Sequence, residues 1–212
     1  MPRPLRIQDA GIRHVTCRGN RGQPIFLDPV DREWYLRELA AVCRELEWRV
    51  LAWCLMTNHV HLVLDVPAGT ISDGMQLLSG NYAGAFNGKH GYSGHLFQGR
   101  FRAELVVDER HALEVVRYVD LNPVRAGIVR HPEEWPWSSY RAFTGIERPR
   151  PFHDAEWTLR RFDSDVRLGR IGYEDYVAQG AAESRRRAVP GPVRGLTPGM
   201  ARRDGGALTW VR

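Results

Sequence analysis

The 212-residue sequence contains no apolar run of about 18 residues, the length that a membrane-spanning helix requires. Its first residues, MPRPLRIQDAGIRH, lack the apolar segment of a secretory signal, so we expect a cytoplasmic protein without membrane contact. The three cysteines are odd in number and widely spaced, which argues against a disulfide framework. The length allows one large domain, or one domain with an appendage.

Lysine is almost absent, since Lys89 is the only one among 30 basic residues. The net charge of +5 lies in the segment 181–212, which holds seven arginines against Glu183 and Asp204. Residues 1–180 are electrically balanced, so any nucleic-acid partner would have to recognise local patches of that part. The segment 181–212 is rich in Gly, Pro and Arg without an apolar period, which predicts disorder. Whether it binds nucleic acid or is an inert extension stays open.

The hydrophobic pattern predicts a strand, a helix, a hairpin, a helix, a strand and a further helix. Asp28 followed by proline marks the start of the first helix. We therefore predict an α+β fold with a ferredoxin-like antiparallel sheet, helices packed on it and a small C-terminal helical appendage. The predicted segments are strands at 13–19, 48–56, 59–66 and 95–107, and helices at 29–47, 71–89 and 109–121. The predicted boundaries are 1–150 for the main domain, 151–180 for the helical appendage and 181–212 for the basic segment.

The tripeptide His59-Val60-His61 lies in the second strand of the predicted hairpin. Side chains alternate along a strand, so the two imidazoles share a face at about 6–7 Å along the backbone. Two histidines in this arrangement can hold one divalent metal ion. A pair of structural histidines on a half-exposed strand is the alternative, and spacing alone leaves both open.

Tyr118 lies on the helix predicted at 109–121. A helical wheel places it on a polar stripe with Glu114, Asn122 and Arg125, beside a separate apolar face. These groups could bind a metal or a phosphate. Asn122 has an alternative role, because an asparagine before proline often caps the start of a helix.

Arginines accompany aromatic residues at two further places. Arg100 and Arg102 alternate with phenylalanines in a predicted strand, and a second group follows the first strand. Arginine forks suit phosphate oxygens, and aromatic rings suit unstacked bases. An ordinary solvated strand edge is the alternative. The candidate nucleic-acid contacts are Arg18, Asn20, Arg21, Arg100, Arg102 and Arg125.

Five segments together resemble the REP-associated tyrosine transposases, insertion-sequence transposases of the HUH single-strand endonuclease superfamily. In chain order they are HVTCRGNRGQPIF, CLMTNHVHLVL, LFQGRFR, RYVDLNPVRAGIV and WPWSSY. The resemblance runs from about residue 8 to residue 180. It implies that His59 and His61 are the two histidines of the HUH motif, that Tyr118 is the nucleophile and that Asn122 occupies the place of a further metal ligand.

The resemblance also implies an activity. Its members cleave single-stranded DNA beside hairpins of repetitive extragenic palindromes through a 5′-phosphotyrosine, with Mg²⁺ or Mn²⁺, as monomers or homodimers. Three alternatives remain from the residues: a cupin-type metal enzyme, a structural zinc site that adds Cys17 and Cys54, and a DNA-binding module of the same fold without catalysis.

Overall fold

The chain alternates between strands and helices in the predicted order. The computed structural model describes residues 9–188. The strands are β1 (Gly11–Arg18), β2 (Arg49–Leu55), β3 (His59–Val66) and β4 (Arg102–Leu105). The helices are α1 (Pro29–Glu45), α2 (Ile71–His90), α3 (Glu109–Asp120), α4 (Asn122–Arg125), α5 (Tyr140–Phe143), α6 (Ala155–Leu159) and α7 (Val166–Ala188).

The four strands form one sheet in the order β2-β3-β1-β4. In this order β3 and β1 are the central strands, and every neighbouring pair is antiparallel. Together with the helices that connect them, this order gives the ferredoxin-like topology. The α+β fold predicted from the sequence is therefore confirmed.

Each face of the sheet is covered by its own hydrophobic core. On one face, Val60, Leu62 and Leu64 of β3 pack with the buried sides of α1 and α2. On the other face, Val63 of β3 packs with α3, α5, α6 and α7, and Val116 of α3 is fully buried there. We call these the first and second core. Because strand side chains alternate, residues at odd positions of β3 all face α3.

Local chemistry explains the ends and the packing of the first two helices. The Asp28 carboxylate accepts a hydrogen bond from the Asp31 backbone N–H at 3.0 Å, and Pro29 is the first helical residue, as predicted. In α2, a Cβ at Gly74 would overlap the Trp48 ring, so this glycine is needed for the close approach. The segment 71–90, although rich in glycine, forms the complete helix α2.

Two predicted boundaries differ most from the structure. The strand predicted at 95–107 is reduced to β4, so Arg100 lies in the preceding loop and does not share a strand with Arg102. Helix α7 runs on to Ala188, past the predicted boundary at residue 180, because Ala181 is buried in the second core. Residues 181–188 of the segment predicted to be mostly disordered are thus helical, and residues 189–212 lie outside the described residues. Among the described helices, none combines the length and apolar composition that crossing a bilayer requires.

Candidate active site

The imidazoles of His59 and His61 both project from β3 toward α3. Their ring centroids are 4.9 Å apart. Val60 between them is buried in the first core, on the opposite face of the sheet. The alternation expected from the sequence is thus present, and it places two nitrogen ligands side by side.

Helix α3 brings Tyr118 over this pair. The Tyr118 and His61 ring centroids are 5.7 Å apart, with the ring planes at 86°. Tyr118 is 38% exposed. The guanidinium of Arg125 lies 4.9 Å from the Tyr118 ring centroid, which is cation–π distance. A phenol, two imidazoles and one guanidinium therefore meet at one place.

The hydrogen bonds of His59 leave its Nε2 available as a ligand. Its Nδ1 lies 2.7 Å from Asn58 Oδ1, and the Asn58 amide donates to the Gly22 carbonyl at 2.9 Å. That second bond identifies Oδ1 as the atom facing His59, so Nδ1 of His59 carries the proton. A neutral imidazole protonated at Nδ1 has its lone pair at Nε2.

His61 contributes a buried nitrogen atom that could act as a ligand. Its Nε2 is buried and has no hydrogen-bond partner in the part of the chain that the structure describes. Burial, followed by the charges of His59 and His14, lowers the pKa of His61 to about 3. Burial and the charge of Arg18 also lower the pKa of His59. Both rings are thus neutral near pH 7, the form in which imidazole binds a metal.

Asn122 does not cap α4, so the alternative role considered for it is wrong. The N-cap residue is Leu121, and no side chain caps that helix. Instead the Asn122 amide donates to the Tyr118 carbonyl at 2.8 Å. Helix α4 follows α3 directly, and the amide satisfies a carbonyl that the end of α3 leaves open. A metal would bind Asn122 through its other atom, the carbonyl oxygen.

A buried carboxyl that sequence reasoning missed, Asp120, ties the end of α3 to its neighbours. Asp120 is fully buried and accepts hydrogen bonds from Ser139 Oγ and Tyr173 Oη, both at 2.6 Å. Burial raises the pKa of Asp120 to about 7, although both hydrogen bonds act in the opposite direction. Asp120 lies two positions after Tyr118. Its hydrogen bonds join the end of α3 to Tyr173 on α7 and to Ser139, the residue before α5.

Arginines border the histidine face at two points. Arg18 is opposite His59 in the β1–β3 ladder, and Arg102 is opposite Thr16, which is itself opposite His61. Directly opposed residues point to the same side of a sheet. Arg18 and Arg102 are both exposed. Phosphate groups passing over the histidines would therefore meet guanidinium groups.

The remaining predicted contacts lie on loops beside the strands. Asn20 and Arg21 are in the short 3-10 turn after β1, where Arg21 has a φ of 54°. The Asn20 backbone N–H donates to the Leu96 carbonyl at 2.8 Å, which joins this turn to the loop that contains Arg100. The structure brings these two loops together but gives no contact of Arg21 or Arg100 with the histidines.

A second group of possible metal ligands lies outside this site. Within the described residues, Asp28, Asp31 and His90 bring three ligand atoms within 4.8 Å of one another. Lys89 Nζ already binds Asp28 at 2.7 Å and Asp31 at 2.8 Å. The Lys89 ammonium therefore binds the carboxylates that a metal ion would otherwise bind. The ion pairs connect the start of α1 to the end of α2. We interpret it as a structural ion-pair network.

The structure removes two of the three alternatives. Cys17 and Cys54 are free and buried, but Cys17 faces the first core and Cys54 the second. They cannot converge on one zinc ion. A four-stranded open sheet with helices on both faces is also not the many-stranded barrel of a cupin.

A ferredoxin-like sheet that presents two histidines from one strand to a helical tyrosine defines the class of single-tyrosine HUH proteins. The family model described as "Transposase IS200 like" matches residues 8–122, which is more than half of the chain. The chain belongs to this family.

Two known proteins are similar to this chain. A curated protein of Haemophilus influenzae, described as a REP-associated tyrosine transposase, is 26% identical over an alignment of 110 residues that covers 46% of this chain and 62% of the relative. The solved structure of a REP-associated tyrosine transposase bound to a REP hairpin matches with a TM-score of 0.58 at 20% identity. That match covers 74% of this chain and 91% of the other, and it concerns the fold.

Proposed function

We propose that this chain is a metal-dependent single-strand DNA endonuclease and strand transferase that cleaves beside palindromic hairpins. The observation that carries the proposal is the position of Tyr118 over His59 and His61, with ring centroids 5.7 Å apart for Tyr118 and His61. Family membership and the hairpin in the related solved structure support the choice of substrate.

The reaction follows from the chemistry of a phenol. The Tyr118 oxygen attacks the scissile phosphorus in line, and the bond from phosphorus to the 3′ oxygen breaks. The products are a 5′-phosphotyrosine and a free 3′-hydroxyl. The covalent link keeps the bond energy, so a second 3′-hydroxyl can reverse the step and join strands without ATP.

The residues present fit a divalent ion such as Mg²⁺ or Mn²⁺. His61 Nε2 is buried without a partner in the described residues. His59 donates its Nδ1 proton to Asn58, so its Nε2 carries a lone pair that can bind the ion. Asn122 is the third candidate, through its carbonyl oxygen. When bound, such an ion polarises the phosphate. The protein's part is to hold the two imidazoles neutral and to aim Tyr118 at the phosphorus.

The arginines suit the path of a single strand. Arg125 lies against the Tyr118 ring, where its guanidinium can bind an oxygen of the reacting phosphate. Arg18 and Arg102 would bind flanking phosphates on the same face, with Asn20, Arg21 and Arg100 on the neighbouring loops. The REP hairpin bound in the related solved structure favours a single strand next to a hairpin as substrate.

A covalent adduct tests this function. Wild-type protein, Mn²⁺ and a single-stranded hairpin DNA labelled at its 3′ end should give a labelled protein band that resists denaturation. Tyr118→Phe should bind the hairpin and form no band, because it lacks only the hydroxyl. Tyr92→Phe is the control, since Tyr92 is also exposed, at 57%, and should react like wild type.

Three results would contradict the proposal in different ways. If Tyr118→Phe still forms the adduct, the nucleophile is another residue. If wild type cuts without forming an adduct, the tyrosine mechanism is wrong. If wild type binds the hairpin but neither cuts nor forms an adduct, the chain is a DNA-binding module of this fold without catalysis.

A further inference from the structure

The site contains a third imidazole, His14, which is not part of the His59-Val60-His61 tripeptide. His14 lies on β1 with its side chain on the same face of the sheet as His61. His14 Nε2 is 3.0 Å from His61 Nδ1, with the ring planes at 17°. Its ring centroid also lies 5.8 Å from that of Tyr118. His14 therefore contacts both a proposed metal ligand and the proposed nucleophile.

Two neutral imidazoles can share only one proton in such a bond. If His61 carries it on Nδ1, His61 donates to His14 and keeps a lone pair on Nε2. If His14 carries it on Nε2, His61 must hold its own proton on Nε2. That nitrogen is buried without a partner in the described residues, so the second arrangement would leave a buried N–H unsatisfied. Buried orphan N–H groups are rarer than under-satisfied acceptors, which favours the first arrangement.

We propose that His14 is a positioning residue that accepts the Nδ1 proton of His61 and so fixes the tautomer whose Nε2 can bind the divalent ion. This rests on the metal site of the proposed function. Asn58 has the corresponding role for His59, whose Nδ1 is 2.7 Å from Asn58 Oδ1. Each imidazole ligand thus has one partner that holds its proton on the nitrogen away from the ion.

The geometry argues against His14 as a ligand in its own right. Among the described residues, His14 does not form with His59 and His61 a group of three ligand atoms that all lie within 4.8 Å of one another. Its Nε2 is also engaged by His61. The role open to it is therefore to orient His61.

The test uses the full chain without metal, so it does not depend on cleavage. Side-chain nitrogen NMR should show wild-type His61 neutral and protonated at Nδ1. His14→Phe keeps a ring and removes the acceptor, so His61 should shift toward the Nε2-protonated form. His14→Gln offers a carboxamide acceptor, as Asn58 does, and should restore the wild-type signature. Thr16→Val is the matched control, because Thr16 is directly opposite His61 but offers no ring nitrogen.

A second readout is Mn²⁺ binding measured by calorimetry. Loss of an outer partner typically weakens metal affinity about 10- to 100-fold, and we expect this for His14→Phe but not for Thr16→Val. Wild-type His61 protonated at Nε2 would overturn the proposal, even if His14→Phe fails to fold. A folded His14→Phe with the wild-type tautomer would also overturn it. The proposed cleavage can fail separately: an Nδ1-protonated His61 that binds Mn²⁺, with no DNA adduct, would contradict the proposed function and leave the role of His14 intact.

Discussion

The phenol ring of Tyr118 stands edge-on to the imidazole of His61, with ring centroids 5.7 Å apart. The two residues belong to different elements, so their distance depends on how α3 packs against the sheet. Val116 and Val119 of α3 are fully buried in the second core, and Asp120 is hydrogen-bonded there by Tyr173. The distance between Tyr118 and His61 therefore depends on the packing of α3 in the second core.

Removal of His61 should distinguish the two possible metal sites. His61→Ala should abolish Mn²⁺-dependent cleavage, because it removes a buried ligand nitrogen. Asp31→Asn should leave the Mn²⁺ dependence unchanged and lower the free energy of unfolding, because Asp31 binds Lys89 and His90. A Mn²⁺ titration of cleavage, with a thermal melt of each variant, measures both. Full cleavage by a folded His61→Ala protein would show that the site is elsewhere.

Two substitutions separate the possible roles of Asn122. Asn122→Ala loses the hydrogen bond to the Tyr118 carbonyl, which should cost about 1 kcal/mol of unfolding free energy. If the carbonyl oxygen also binds the ion, Asn122→Ala needs more Mn²⁺ for half-maximal cleavage. Asn122→Asp loses the same hydrogen bond but keeps an oxygen ligand, so its Mn²⁺ requirement should stay low.

The comparison is made by urea unfolding beside the Mn²⁺ titration. If Asn122→Ala and Asn122→Asp both need the same Mn²⁺ concentration as wild type, Asn122 is not a metal ligand. Its role is then the hydrogen bond to the end of α3.

Features of the site that depend on one element were predictable from the sequence. The shared face of His59 and His61 follows from strand alternation, and the position of Tyr118 on a polar stripe follows from the helical wheel. Features that depend on register or on distant partners were not. His14 meets His61 only because of the way β1 is aligned with β3, and no local pattern specifies that alignment.

The same limit explains the errors. The sequence Asn-Pro does not define the role of Asn122. An asparagine side chain can cap the helix that follows it, or it can donate to a carbonyl of the helix that precedes it. The outcome was decided by the end of α3, where the Tyr118 carbonyl accepts from the Asn122 amide. The end of α7 was misplaced because the small residue Ala181 gives no apolar period, although it is buried against the second core.

Substitution of Arg102 should weaken DNA binding in a salt-dependent way. Removal of one cation that binds a phosphate of a single strand should reduce the slope of log affinity against log salt by about 0.7. We expect this for Arg102→Ala, because Arg102 is in the same cross-strand row as His61. Arg167→Ala is the control, since that side chain is 91% exposed on α7. Equal slopes for Arg102→Ala and wild type would remove Arg102 from the DNA path.

Truncation after Ala188 should test the basic C-terminal segment without damage to the fold. A cut at residue 180 would remove Ala181 from the second core, whereas residues 189–212 include four arginines and one aspartate. If these arginines touch DNA, their removal should make affinity less sensitive to salt and leave the preferred hairpin unchanged. Binding at several salt concentrations measures the slope, and an unchanged slope would mean that the segment does not contribute.

His153 should make the fold sensitive to acid. It is buried beside Phe143, with ring centroids 4.9 Å apart. Burial lowers its pKa from 6.5 to about 4, and neither ring nitrogen has a hydrogen-bond partner among the described residues. The unfolded chain therefore binds a proton more tightly than the folded chain between these values. The stabilisation is complete above pH 6.5 and is lost as the pH falls toward 4, by an amount on the order of 3 kcal/mol.

His153→Leu isolates this effect from those of the other histidines. The variant removes the titrating ring, so its unfolding free energy should fall less steeply than that of wild type as the pH is lowered from 7 to 4. His95→Leu is the control, because it replaces an exposed histidine and should keep the wild-type slope. Urea unfolding at several pH values gives the slopes directly, and the comparison uses slopes because the substitution also changes packing against Phe143. Parallel curves for His153→Leu and wild type would mean that His153 takes up its proton in the folded state as readily as in the unfolded chain.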